Sequence, residues 1–112
     1  MEIETTESTN GTTVISLHGE MDLYSSYLVK QYVSEHLCQE KSPLIIDCRH
    51  LTYIDSSGVG VMLHAFAQSK KVGISVWFVN VHGSVRRVIE LTSLLGFLPI
   101  VDSIAEAEAL LS

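Results

Sequence analysis

The chain has 112 residues, 46% hydrophobic and 18% charged, with a formal net charge of −6 and a pI near 5.2. That length supports one folding unit, residues 1–112, and the composition is that of a globular domain with a core of its own. The acidic balance, with no basic cluster beyond the pairs Lys70-Lys71 and Arg86-Arg87, excludes nucleic acid as a partner, and no apolar run is long enough for membrane insertion.

Met1-Glu2-Ile3-Glu4-Thr5 lacks the basic and apolar regions of a secretory leader, so a cytoplasmic location is expected. Glu2 to Ser8 suits an edge strand, Asn10-Gly11 a two-residue hairpin turn, and Thr12 to His18 the returning strand, with apolar contacts on both faces. Gly19-Glu20-Met21-Asp22 is expected to leave the sheet, with Asp22 capping a helix to about Cys38 whose core stripe is Leu28, Val29, Tyr32, Val33 and Leu37. After Pro43, Leu44 to Cys48 is a continuous apolar strand of the kind buried in a parallel sheet. A second helix closes at Val72-Gly73 and is followed by a strand over Ile74 to Val79. Asn80-Val81-His82-Gly83 turns into a helix through Leu95, with Val85, Val88, Ile89 and Thr92 on one side and Gly96 beyond its end. Pro99 to Val101 makes a short last strand, and Ser103-Ile104-Ala105-Glu106 has capping-box spacing for a helix to Leu111. This order predicts an α/β fold: a small mixed, mostly parallel sheet of four to five strands with about four helices. Cys38 and Cys48 lack metal-ligand spacing and read as buried small hydrophobes.

The functional interest centres on Leu51 to Leu63. Val59, Met62, Leu63, Phe66 and Ala67 recur at helical spacing, so a helix starts near Ser56 or Ser57. Either serine can accept a hydrogen bond from the first-turn N–H groups, and the same N–H groups favour an anion, including a phosphate carried covalently on serine. Gly58 and Gly60 would let another molecule approach the backbone. Val61 and Ala65, with Ser57, His64 and Gln68, lie off the core stripe; they form either a partner-facing patch or a face covered by another helix.

Catalysis has weaker support. Asp22 and Asp55 leave strand ends and act either as caps and turn formers or, brought together, as holders of a magnesium phosphate. The histidines at 18, 36, 50, 64 and 82 show no metal-binding spacing, Gly-x-Ser-x-Gly is absent, and Gly58-Val59-Gly60 is too short for a dinucleotide fingerprint. No enzyme activity, metal or cofactor is expected.

Gly19-Glu20-Met21-Asp22 after a strand, an apolar strand ending in Asp47, and Tyr53-Ile54-Asp55-Ser56-Ser57-Gly58-Val59-Gly60-Val61-Met62-Leu63 before a helix together resemble the STAS domain of bacterial anti-sigma factor antagonists over essentially the whole chain. The resemblance implies the STAS fold and phosphorylation of Ser56, in preference to the neighbouring Ser57, by an anti-sigma factor serine kinase, reversed by a serine phosphatase. In it the unphosphorylated form binds the kinase and displaces the sigma factor, and the phosphorylated form lets go. Asp22 takes the place of the loop aspartate and Asp55 that of the motif aspartate. The partner surface expected on this basis comprises Asp22, Asp55, Ser57, Gly58, Gly60, Val61 and His64, on a monomer or weak dimer. The alternative is an accessory or scaffold subunit of a lipid-transport or stress-signalling complex.

Overall fold

Leu44–Asp47 (β3, numbering the strands in chain order) is buried at every position, because both of its faces are covered. The computed structural model describes residues 1–8, 10–39 and 42–111. In it, β3 pairs in parallel with β2 (Thr13–Met21) on one side and with β5 (Val76–Val79) on the other. The antiparallel β1 (Glu2–Glu7) extends the sheet beyond β2, and the parallel β6 (Ile100–Val101) extends it beyond β5. On one face, Ile15, Ile46 and Phe78 pack with Val29, Val33 and Leu37 of α1 (Ser26–Gln39), Met62 of α2 (Ser56–Val72), and Val85 and Ile89 of α3 (Gly83–Leu91). On the other, Val14, Ile45 and Val79 meet Ala107 of α4 (Ile104–Leu111). Val14 and Ile15 thus point into different cores, as a strand covered on both sides requires.

The sheet has six strands, one more than expected. The sixth is β4 (Leu51–Ile54), which lies parallel to the end of β2. Accordingly Gly19-Glu20-Met21 does not leave the sheet: Gly19 has φ +110°, the register shifts after it, and the strand runs on beside β4. The hairpin connection is also longer than two residues. Ser8 N–H donates to the Thr12 carbonyl at 2.8 Å and Gly11 has φ +83°, while Thr9 lies outside the described residues.

The helix after β2 begins at Ser26, four positions beyond Asp22, and its buried stripe is Ser26, Val29, Val33, His36 and Leu37. Leu28 and Tyr32, expected inside, are exposed, and the Tyr32 hydroxyl bonds the Thr5 hydroxyl. His36 takes a core place because its Nε2 donates to the Ser42 carbonyl at 2.9 Å. The third helix stops at Leu91: Ser93 adopts φ +61°, leaving Leu95 and Gly96 outside the helix and Thr92 exposed. Ser103 caps α4 as expected, accepting the Glu106 N–H at 3.1 Å. Of the cysteines only Cys48 is buried, its thiol pushed up to about 12 by burial and by the charge of Asp47, whereas Cys38 is exposed.

Candidate functional site

The sharp passage from β4 into α2 is made by Asp55. Its backbone is extended, and its Oδ1 accepts the N–H of Ser57 at 2.9 Å and of Gly58 at 3.2 Å. The aspartate, and neither serine, is therefore the N-cap. With that task filled, the hydroxyls of Ser56 and Ser57 have no hydrogen-bond partner among the described residues; Ser56 is exposed and Ser57 half-buried. Ser56 is the first residue of α2, where the free end of the helix dipole favours negative charge.

The other oxygen of Asp55, Oδ2, accepts the N–H of Leu23 at 3.1 Å, which ties the start of α2 to the turn after β2. Asp22 organises that turn. Its Oδ1 accepts the N–H groups of Tyr24 at 2.9 Å and Ser25 at 3.0 Å, and its own N–H donates to the Ser25 hydroxyl oxygen at 3.0 Å. The Ser25 hydroxyl donates to the Glu20 carbonyl at 2.7 Å. Asp22 thus caps the turn before α1 and not α1 itself. The N–H of Ser25, more than any other group, holds the Asp22 carboxyl below its ordinary value, against a smaller opposing effect of desolvation.

Asp22 and Asp55 are linked through Leu23, and both act in the cap and turn-forming role, as acceptors of backbone N–H groups. Among the described residues no three His, Cys, Asp or Glu side chains are grouped to hold a metal.

The two glycines have different jobs. A Cβ on Gly58 would lie 2.4 Å from Ile54 Cγ1 and 2.8 Å from the Met21 carbonyl oxygen, so this buried glycine lets α2 pack against its own sheet. Gly60 is exposed with nothing within 4 Å of such a Cβ, and keeps the open backbone expected of it. Val61 is corrected outright. At 7% exposure it lies in the core with Ala65, so the pair forms no surface patch. His64 is half-buried between the two helices, its Nε2 3.1 Å from the Ser34 hydroxyl; burial, then the charge of Lys30, lowers its pKa. Ala67, expected inside, is exposed.

Leu23, Tyr24 and Ser25 escaped the sequence reading. An apolar pair inside the polar stretch Asp22 to Ser26, off every helical stripe, was the available signal.

Residues 2–107 match the family model of the STAS domain. The anti-sigma-B factor antagonist of Bacillus subtilis is 30% identical over 94 residues, 84% of this chain and 83% of that protein. The anti-sigma F factor antagonist of Paenibacillus polymyxa is 26% identical over 98 residues, 87% of this chain and 84% of that protein. The structure of the Bacillus cell fate determinant SpoIIAA in its phosphorylated form superposes with a TM-score of 0.74 at 24% identity, covering 99% of this chain and all (100%) of that one. With the sheet order, the capped start of α2 and these matches in agreement, the chain belongs to the STAS domain family.

Proposed function

We propose that this protein is an anti-sigma factor antagonist controlled by phosphorylation of Ser56. Unphosphorylated, it binds an anti-sigma factor that is also a serine kinase, and the sigma factor is released. The kinase then transfers the γ-phosphoryl group of ATP to Ser56 Oγ, ADP departs, the hydroxyl proton is lost, and the complex separates until a serine phosphatase hydrolyses the ester. The protein is the substrate of this chemistry and works in the cytoplasm. The observation that carries the reading is the exposed Ser56 hydroxyl, unpartnered among the described residues, at the first position of a helix whose capping is done by Asp55. The names of the Bacillus and Paenibacillus relatives support the same reading.

A phosphoserine adds about −1.5 to −2 charge. The helix start tolerates it, so the fold is kept. On a docking surface that already holds Asp55 and Asp22, the added charge is repelled and costly to desolvate. A coupling of about 1–3 kcal/mol changes partner affinity about 5–150-fold. The test is copurification from the protein's own cells: Ser56→Ala is expected to retain an ATP-binding kinase that Ser56→Asp loses. Equal retention by both variants would contradict the switch and favour a constitutive scaffold or transporter subunit.

A further inference from the structure

We infer that Leu23, Tyr24 and Tyr27 form a rigid apolar ledge that enters an apolar, cation-rimmed socket on the kinase, so that binding strength resides in the ledge and the on–off decision in Ser56. The inference rests on the kinase reading above. Every backbone N–H from Asp22 to Ser26 is held: Asp22 by the Ser25 hydroxyl, Leu23 by Asp55 Oδ2, Tyr24 and Ser25 by Asp22 Oδ1, and Ser26 by the Asp22 carbonyl. Yet the side chains this fixed backbone carries are out in water. Leu23 is 66% exposed, Tyr24 81% and, one turn on, Tyr27 57%.

Side chains so exposed contribute little to folding, and the turn that ties β2 to α2 also displays them on fixed backbone. A turn already ordered binds without the cost of ordering it, and aromatic anchors on fixed backbone are the usual carriers of interface energy. The location adds to this. Asp55, which holds Leu23, immediately precedes Ser56, so a partner seated on the ledge has the phosphate acceptor within reach. Glu20, Asp22 and Asp55 border the turn, and none is in an ion pair among the described residues. Charge complementarity therefore calls for a cationic rim on the partner.

The test is the initial rate of ATP-dependent phosphate incorporation at Ser56 when the purified full chain is titrated into extract of its own cells supplied with ATP. Leu23→Ala/Tyr24→Ala is expected to raise the apparent KM at least tenfold with kcat within twofold and the melting temperature unchanged; the single Tyr24→Ala variant should show a smaller rise in KM. Tyr24→Phe, which keeps the ring, and Leu110→Ala, which truncates another exposed apolar residue, on α4 across the sheet, should both behave as wild type. Wild-type rates and KM in the ledge variants would overturn the ledge and leave the kinase reading standing. Failure of the wild-type chain to accept phosphate on Ser56 would overturn both.

Discussion

The starts of α2 and α3 pose the same problem and solve it in opposite ways. Each helix follows a parallel strand and carries an exposed serine in its first turn. At α3 the N-cap His82 makes no side-chain capping bond, its Nε2 donating instead to the Arg49 carbonyl at 2.8 Å, and the Ser84 hydroxyl donates to the Thr52 carbonyl at 2.9 Å. At α2 the Asp55 carboxylate takes three N–H groups, and the Ser56 hydroxyl is left with no partner among the described residues. One serine fastens the fold, and the other is released from that duty.

The largest effect should come from closing the space that lets α2 sit on the sheet. Gly58→Ala forces a methyl group against the Met21 carbonyl and Ile54, and overpacking of that kind costs about 1–3 kcal/mol. Urea denaturation should show the loss, with Gly60→Ala, at the open position, stabilising by up to about 1 kcal/mol. Asp55→Ala should follow with a loss of about 1–2 kcal/mol, the usual worth of a strong N-cap, much of it restored by Asp55→Asn. Ser84→Ala is expected to lose about 1 kcal/mol with its hydrogen bond. Ser56→Ala should stay within about 0.5 kcal/mol of wild type, as a solvated side chain does. If Ser56→Ala and Ser84→Ala denature alike, the contrast between the two helix starts is wrong. A finer comparison uses acid. Because the Asp22 carboxyl is held below its ordinary 3.8, its contribution is present above that pH and is lost as pH falls through the lowered folded-state value. Asp22→Asn should therefore flatten that part of the stability profile and leave the neutral region parallel to wild type.

Much of this was legible in the residues. The Leu44–Asp47 run marks a two-sided central strand, the hydrophobic spacing marks the helices, and Asp55-Ser56-Ser57-Gly58 marks the start of the helix that matters. β4 was hidden because its four residues are buried at the ends and exposed in the middle, which imitates neither alternation nor a continuous run. The burial of Val61 and Ala65 is not legible in the sequence because α2 packs on both the sheet and α1, and periodicity does not say which neighbour covers which side. Aspartate and serine cap equally well, so Asp55-Ser56-Ser57 leaves the cap undecided until the chain direction is known. The exposure of Leu23 and Tyr24 depends on a turn closed by Asp55, 32 residues away from Leu23, which no local pattern records.

The most direct measurement is phosphopeptide mass spectrometry of this protein isolated from its own cells, reading the tryptic peptide 50–70 with fragmentation that separates Ser56 from Ser57, and the peptide 72–86 that carries Ser84. Phosphate on Ser56, with Ser84 unmodified, is the predicted result. A peptide 50–70 that stays unmodified under every growth condition, or phosphate on Ser84 in its place, would contradict the account.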